Sequence, residues 1–261
     1  MRGASIDLDE VSYVREARTI LGRITWAVDP DQRWVVLGPN GCGKTTLIRI
    51  CAGYEHASSG SVHLLGSEVG RCDLRQLRRR IGFVSAAMAD LVRPNLAIED
   101  VVMTARNAAL EPWWHTYSDD DRAWALECLQ KVGLGWAAGR TFGSMSSGER
   151  QRVLIARQLM IGAELLLFDE PSAGLDLSGR ETLVDDLARL AATATAPPIV
   201  LVTHHVEEIP PGFTHVLLLD PSGIVAAGPL HETLRSDTLS ASVGLSVELT
   251  SRHGRFSASR R

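Results

Sequence analysis

The chain has 261 residues, of which 45% are hydrophobic and 22% are charged, so it has enough apolar material for a large core and is not expected to be disordered. Its formal net charge of −4 argues against wholesale nucleic-acid binding. No apolar run reaches the roughly 18 residues of a membrane-spanning helix, the acidic start lacks the apolar region of a signal peptide, and the four cysteines lack metal-ligand spacing. We therefore expect a cytosolic protein with reduced cysteines.

The first 37 residues predict β structure. Apolar positions alternate over residues 6–11 and 21–28, and the continuous apolar run at 34–37 is typical of a buried strand. This run ends at Gly38, and the apolar spacing after Lys44 favours a helix. A strand, a glycine-rich loop and a helix therefore follow one another.

The loop fits the phosphate-binding pattern G-x-x-x-x-G-K-[ST]. Its glycines allow backbone N–H groups to surround a phosphate, and the helix that follows directs its positive N-terminal end at the same anion. Lys44 would place a positive charge on the phosphate oxygens, and Thr45 would offer its hydroxyl to Mg²⁺. The predicted nucleotide-binding residues are Gly38, Pro39, Asn40, Gly41, Cys42, Gly43, Lys44, Thr45 and Thr46.

From about residue 87 to residue 160 the pattern becomes helical. One helix is expected to begin at Asn95 or Ala97, and another at Ser118, which three aspartates follow. This stretch is the candidate inserted subdomain, and the pair Trp113 and Trp114 is interpreted as packing within it. The arginines between residues 71 and 80 are interpreted as a solvated face rather than a nucleic-acid patch.

Strand character returns at residues 165–168, 199–202 and 216–219, and the alternation of strands with helices predicts a mainly parallel sheet covered on both faces. The first of these runs ends in Asp169 and Glu170, at the sheet edge where ligands bind in open α/β folds. Because strand side chains alternate, Asp169 can hold Mg²⁺ while Glu170 addresses the water that attacks the γ-phosphate.

Over roughly residues 5–235 these motifs resemble those of ATP-binding cassette (ABC) ATPases. Residues 145–149, M-S-S-G-E, resemble the family's L-S-G-G-Q signature; residues 172–176 resemble the D-loop; and residues 202–204 resemble the switch segment that supplies a histidine. The resemblance implies an α/β fold: a P-loop NTPase core with a mainly parallel sheet, N-terminal antiparallel β strands and an inserted α-helical subdomain.

The same resemblance implies the roles of individual residues. It implies that Glu170 and His204 are catalytic and that Thr45 and Asp169 bind Mg²⁺. The further nucleotide-binding residues that it implies are Arg15, Ser146, Ser147, Gly148, Glu149 and Asp176.

Several positions depart from the family pattern, among them Glu149, which stands where the signature has its final glutamine. The Q-loop glutamine is replaced by Ala86, whose side chain cannot ligate a metal, so water, Ser85 or another group must take its place. The aromatic residue that stacks on adenine is replaced by Arg15, with Tyr13 as the alternative. A guanidinium plane can also stack on a base.

The implied function is that of an ATP-binding and hydrolysing subunit that powers substrate transport through ATP-driven head-to-tail dimerisation. Its implied partners are transmembrane permease subunits and a second ABC ATPase subunit, at the inner face of the cell membrane, with no nucleic acid. We expect one domain over residues 1–250, with its core at 1–86 and 161–235, the helical subdomain at about 87–160, and a mobile polar tail at 251–261.

The segment 96–102 resembles that of small importers of metal-chelate type. The alternative is a soluble ABC ATPase in repair, translation or cofactor assembly, suggested by the missing Q-loop glutamine. A small-molecule phosphotransferase would leave the signature and His204 unexplained.

Overall fold

The computed structural model describes residues 3–107, 109–112, 115–193 and 195–261. Trp113 and Trp114 lie outside the described residues. The strands are β1 (Ile6–Arg15), β2 (Arg18–Val28), β3 (Arg33–Leu37), β4 (Ser59–Leu64), β5 (Ser67–Glu68), β6 (Ile81–Ser85), β7 (Leu165–Asp169), β8 (Ile199–Val202), β9 (His215–Asp220), β10 (Gly223–Pro229), β11 (Val247–Arg252) and β12 (Arg255–Arg260). The α-helices are α1 (Lys44–Cys51), α2 (Leu74–Arg78), α3 (Ala86–Ala89), α4 (Ile98–Met103), α5 (Asp119–Lys131), α6 (Ser147–Met160), α7 (Leu177–Ala192), α8 (Leu230–Thr233) and α9 (Ser236–Val243).

The strands assemble into three sheets. A four-stranded sheet has the order β2-β1-β4-β5, a six-stranded sheet has the order β10-β9-β3-β8-β7-β6, and β11 pairs with β12. The first sheet is antiparallel. In the six-stranded sheet all neighbours are parallel except β10, which runs antiparallel to β9 at one edge. The predicted fold class is thereby confirmed.

The central strands are buried on both faces, which explains their continuous apolar sequence. In β7, Leu165 and Leu167 pack in the same cluster as the apolar residues of α1, whereas Leu166 and Phe168 pack in the cluster that contains α6. Burial of each such side chain stabilises the fold by roughly 1.5–3 kcal/mol. The sheet therefore has α1 on one face and α6 on the other.

Helices α4 and α5 begin at residues that the sequence offered as helix starts. Of the two expected starts the structure has Ala97 as the N-cap of α4. Ser118 caps α5, since its hydroxyl accepts from the Asp121 N–H at 3.2 Å. Helices α4, α5 and α6 share one apolar cluster with the sheet, so an inserted subdomain at 87–160 stays a prediction. None of the described helices combines the length and the hydropathy needed to span a lipid bilayer.

The parallel register brings four chain segments to one edge of the sheet. Strands β3, β8, β7 and β6 are neighbours and all end there. The glycine loop follows β3, Asp169 ends β7, Thr203 and His204 follow β8, and Ser85 ends β6. Residues far apart in sequence therefore meet at this edge, as in other open α/β sheets.

The C-terminal residues differ from the mobile tail expected from their composition. Residues 251–260 belong to the β11–β12 hairpin, which packs Val247 and Phe256 into the apolar cluster of the sheet. Arg255 donates to both carboxylate oxygens of Glu181 on α7, at 2.8 and 3.0 Å. A few apolar anchors and one bidentate ion pair thus order a polar segment.

Candidate functional site

The glycine loop between β3 and α1 has a conformation that requires glycine at two positions. Gly41 and Gly43 have φ angles of 82° and 96°, in the left-handed region. A Cβ at Gly43 would lie 2.5 Å from Leu21 Cδ2 and 2.8 Å from the Ile20 carbonyl oxygen. Strand β2 therefore packs directly against the loop, and a larger residue at 43 would displace one or the other.

Lys44 binds back to the loop that precedes it. Its ammonium group donates to the carbonyl oxygens of Gly38 at 2.8 Å and Pro39 at 3.0 Å, and only 4% of the residue is exposed. The nearest carboxylate oxygen in an ion pair with it, from Glu170, is 3.9 Å away. A buried cation with so little compensation, next to the start of α1, favours a negatively charged ligand.

Thr45 and Asp169 form the second part of the site. The Thr45 hydroxyl donates to Asp169 Oδ1 at 3.2 Å, although the two residues are 124 positions apart in sequence. Burial raises the pKa of Asp169, and the bond from Thr45 opposes that rise. A divalent cation would offset the cost of this buried carboxylate, and a hydroxyl and a carboxylate are the hard oxygen donors that Mg²⁺ prefers. The residues present therefore fit Mg²⁺.

The described residues contain no cluster of three or more His, Cys, Asp or Glu side chains able to hold a metal ion. A site built from Thr45 and Asp169 leaves most coordination positions to other oxygens. Mg²⁺ commonly binds through one or two carboxylates together with substrate phosphates and water. The donor set is thus that of a cation which arrives with a nucleotide.

Glu170 is turned towards the loop by its backbone. Its φ angle of 46° is left-handed, which is uncommon for a residue with a side chain, and its N–H donates to the Val202 carbonyl oxygen at 3.0 Å. Glu170 Oε1 lies 3.3 Å from His204 Nδ1 and 3.9 Å from Lys44 Nζ. A carboxylate that is about one third exposed and held beside a histidine and a lysine can accept a proton from a water molecule.

The segment that carries His204 is held by hydrogen bonds of the neighbouring Thr203. Thr203 is buried and its hydroxyl donates to the buried Glu208. The same hydroxyl oxygen accepts from the backbone N–H of His205 at 3.1 Å. The ring of His204 lies with its centroid 4.0 Å from that of His205. This network fixes the turn after β8, so the position of His204 relative to Glu170 is set by the sheet.

The signature-like segment forms the start of α6. Ser146 is the N-cap: its hydroxyl accepts from the Glu149 N–H at 3.3 Å, while the Glu149 carboxylate accepts from the Ser146 N–H at 2.7 Å. That backbone bond is the largest cause lowering the pKa of Glu149. The amides of Ser147 and Gly148 have no partner within the helix, as at any helix start, and can donate to an anion.

Asp176 lies beside the signature-like segment. It is the N-cap of α7, and its carboxylate accepts from the Gly179 N–H at 2.7 Å. A Cβ added at Gly148 would lie 3.6 Å from Gly179 Cα, so the starts of α6 and α7 are close together. The sequence predicted Gly148 and Asp176 as site residues, but it did not predict that they would line the same cavity.

Two separate cavities are lined by some of the predicted site residues, whereas Gly38 to Lys44 and His204 line neither of them. Thr45, Asp169 and Glu170 line a cavity of about 740 Å³, together with residues of β6, α2 and α6. A second cavity, of about 380 Å³, is lined by Ser146, Ser147, Gly148, Glu149 and Asp176 with their neighbours. The two cavities share no lining residue. One chain thus has two groups of phosphate-binding candidates that do not face a common space.

The residue that would stack on adenine stays a prediction. Arg15 lies at the exposed end of β1, where it pairs with Arg18 across the β1–β2 hairpin, and its guanidinium is 3.9 Å from Glu16. Tyr13 pairs with Leu21 on β2, and its hydroxyl donates to Glu55 at 3.0 Å. Since Leu21 packs near Gly43, Tyr13 is one strand away from the loop.

The sequence did not predict the arginine wall of the larger cavity. Arg75, Arg78 and Arg79 line it, instead of forming only a solvated face, and Arg157 on α6 lies opposite with 7% of its surface exposed. Arg157 Nη2 donates to the Ala109 carbonyl oxygen at 2.7 Å, and its Nε has no partner among the described residues. The apolar spacing of α6 predicts its buried face but not a buried guanidinium.

Comparison with known proteins identifies relatives that match most of the chain. Residues 21–173 match the family model described as ABC transporter. The chain is 39% identical over 237 residues to YlmA of Bacillus subtilis, an uncharacterised ABC transporter ATP-binding protein, with 90% of this chain and 89% of the relative covered. It is 33% identical over 226 residues to MntB of Halalkalibacterium halodurans, the ATP-binding protein of a manganese transport system, with 86% of each covered.

Among solved structures, the fold matches that of the ATP-binding cassette MJ0796, described as a dimer in a post-hydrolysis state bound to ADP and Pi. The TM-score is 0.72 at 23% sequence identity, over 86% of this chain and 98% of that one.

Proposed function

Because this chain belongs to the ABC transporter family and is an ATPase subunit that powers transport, we propose that it binds Mg·ATP between two head-to-tail copies of itself. One observation carries the proposal: Thr45 and the two acids line one cavity, whereas Ser146 to Gly148 line another. The signature of a second copy is needed to close over nucleotide held by the first. The dimer described for MJ0796 with ADP and Pi supports this arrangement.

ATP binding is assigned to the loop 38–46. The Gly41 and Gly43 conformations expose backbone amides, and Lys44 supplies the charge that meets the β- and γ-phosphates. Thr45 and Asp169 would hold Mg²⁺, which when bound neutralises phosphate charge. The contact of 3.2 Å between the two side chains supports their binding of one ion.

Hydrolysis is assigned to Glu170 and His204. Glu170 orients a water molecule and accepts its proton as the water oxygen attacks the γ-phosphorus; the bond to the β-phosphate oxygen breaks, and ADP and inorganic phosphate result. His204, 3.3 Å from Glu170 Oε1, keeps the carboxylate in place and contacts the γ-phosphate. Both side chains are about one third exposed in a single copy, and the closing copy would exclude bulk water from them while leaving the attacking molecule in place.

The second copy contributes Ser146, Ser147 and Gly148. Its helix start donates two free amides and the Ser147 hydroxyl to the γ-phosphate. Glu149 braces the turn through the Ser146 N–H, and Asp176 lies in the same cavity next to this contact.

Light scattering tests the two-copy arrangement. The Glu170→Gln protein should be a monomer without nucleotide and a dimer with Mg·ATP, because binding persists while hydrolysis stops. The same protein with Gly148→Asp should stay a monomer, since a carboxylate then meets the γ-phosphate. The added Cβ meets Gly179 Cα at an ordinary 3.6 Å, so this control should fold. A double variant that still dimerises would remove the signature from the contact.

We further propose that permease subunits dock at the part of the 740 Å³ cavity lined by Tyr54 and Leu91, which places the ATPase at the inner face of the cell membrane, while Thr45 and the two acids line the part that serves the nucleotide. The cavity extends from Asp169 and Glu170 to exposed Leu91 and Tyr54, so an occupant could respond to nucleotide state. Its arginine wall, formed by Arg75, Arg78, Arg79 and Arg157, favours an occupant with acidic groups. The helical region, which we assign to residues 87–160, forms one side of this cavity and would move with the occupant.

Crosslinking in native cells tests the permease. Membrane proteins should copurify with the wild-type chain, and Leu91→Glu should reduce their recovery. Leu245→Glu, an exposed leucine after α9 that lines neither cavity, is the matched control. Recovery without any membrane protein would contradict the proposed docking of permease subunits.

For the cargo we propose a metal ion or metal chelate. The 33% identical MntB is named for manganese transport, and segment 96–102 resembles importers of metal-chelate type. Metal accumulation in cells with and without the Glu170→Gln chain tests this class of cargo. Equal contents of every transition metal would contradict it.

A further inference from the structure

The end of β6 places a third oxygen next to Thr45 and Asp169. Strands β6 and β7 are parallel, and Ser85 is the register partner of Asp169. Parallel register partners point to the same face of a sheet. Residues Ile81 and Leu165, an earlier pair of this register, share the apolar cluster on the α1 face. Ser85 is therefore on the face that carries Thr45.

The Ser85 hydroxyl is not used in the way that serines at helix starts usually are. Ser85 is the N-cap of α3 but makes no side-chain capping bond. By contrast, Ser118 and Ser146 accept N–H bonds at 3.2 and 3.3 Å in the same position of their helices. Ser85 is half-buried and lines the same cavity as Thr45, Asp169 and Glu170. The Ser85 hydroxyl thus has no hydrogen-bond partner among the described residues, and Ser85 lines the cavity that also contains the two carboxylates.

We propose that Ser85 is an oxygen ligand of the divalent cation, alongside Thr45 and Asp169. The neighbouring Ala86, which stands where the family has its glutamine, offers only a methyl group. A hydroxyl is a hard neutral donor of the kind that Mg²⁺ accepts, and it adds no further charge beside the buried carboxylate. This inference rests on the proposed Mg·ATP site and names a residue of that site which the family pattern does not supply.

A strand-end ligand also connects the cation to the docking cavity. Ser85 is followed directly by α3, and Ala86, Ala87 and Met88 of that helix line the same cavity. A shift of the cation or of its phosphate ligands on hydrolysis would therefore be transmitted to α3 through one residue. The chain thereby keeps a link from nucleotide to partner although its Q-loop lacks the glutamine.

The experiment compares nucleotide binding with and without cation. Binding of a non-hydrolysable ATP analogue is measured by calorimetry in Mg²⁺ and in EDTA, and Mn²⁺ binding to the protein–nucleotide complex is measured by electron paramagnetic resonance. In EDTA, Ser85→Ala should bind the analogue as tightly as wild type. The gain in affinity on adding Mg²⁺ should be about tenfold smaller for Ser85→Ala than for wild type. Mn²⁺ affinity of the complex should fall by a similar factor.

Matched variants isolate the hydroxyl. Ser85→Thr should keep wild-type behaviour, and Ser85→Cys, which has nearly the same size but a soft donor, should show the loss seen with alanine. Adding Ala86→Gln to Ser85→Ala should restore cation-dependent binding. Ser257→Ala, on the exposed face of β12, should change nothing.

The variants and the wild-type chain separate a failure of the Ser85 proposal from a failure of the cation site itself. If Ser85→Ala and Ser85→Cys keep both the full Mg²⁺ gain and the wild-type Mn²⁺ affinity, Ser85 is not a ligand, while the Mg·ATP site stands. If the wild-type chain itself gains no affinity from Mg²⁺, the proposed cation site fails and the inference fails with it.

Discussion

The Glu170→Gln substitution tests the proposed chemistry while leaving the structure almost unchanged. Glutamine has the size of glutamate, and its amide oxygen can keep the position 3.3 Å from His204 Nδ1 and 3.9 Å from Lys44 Nζ. These contacts are longer than strong charge-assisted bonds, and both Glu170 and His204 are about one third exposed. Replacing the Glu170 charge in these two contacts should therefore change the free energy of unfolding by at most about 1 kcal/mol.

The effect on turnover should be far larger, because an amide cannot accept the proton of the attacking water. Loss of a general base lowers the rate by about 10²- to 10⁴-fold, which corresponds to roughly 3–5 kcal/mol of transition-state stabilisation. Phosphate release at saturating Mg·ATP should fall by this factor. Binding of ATP should be unchanged or tighter, because one negative charge near the triphosphate is removed.

The matched control is Glu127→Gln on the exposed face of α5, which makes the same chemical change far from the site. It should keep wild-type turnover and binding. If Glu170→Gln kept turnover within tenfold of wild type, or if the control lost as much, the assignment of Glu170 as the base would be refuted.

The remaining predictions concern the loop and the C-terminal hairpin. Lys44→Ala removes the ammonium group that binds back to the loop, so ATP affinity measured by calorimetry should fall by about 10- to 100-fold. Gly43→Ala combines a left-handed φ with a Cβ 2.5 Å from a β2 side chain and should cost about 2–4 kcal/mol in denaturant unfolding; Gly41→Ala, with nothing within 4 Å, should cost about 1–2 kcal/mol. Arg255→Ala removes the bidentate bond to Glu181, so amide hydrogen exchange in β11 and β12 should become faster.

The parts of the fold that depend on local sequence were predictable. The strand, loop and helix around Lys44 follow from an apolar run, glycines and helical spacing within about 20 residues, and Ser118 is followed by the acids that mark a capped helix. The parallel sheet follows from the alternation of such elements. These features are encoded within short windows, so tertiary context rarely overrides them.

Contacts between distant residues were predictable only through the family resemblance. Nothing in the spacing of Thr45 and Asp169, 124 positions apart, fixes a 3.2 Å contact between them. The hairpin at the C-terminus was not predicted, because its polar, basic sequence is ordered by partners such as Glu181, 74 positions away. Which arginines line a cavity depends on the approach of α2 to β6, which composition does not reveal.

The most direct measurement mixes two inactive variants. Lys44→Ala has a defective loop and an intact signature. Gly148→Asp has an intact loop and a defective signature. If each ATP lies between the loop of one copy and the signature of the other, random mixing gives about a quarter of wild-type sites intact, and phosphate release should recover to that extent. If loop and signature of the same chain act together, the mixture should stay as inactive as the separate variants, and the account would be contradicted.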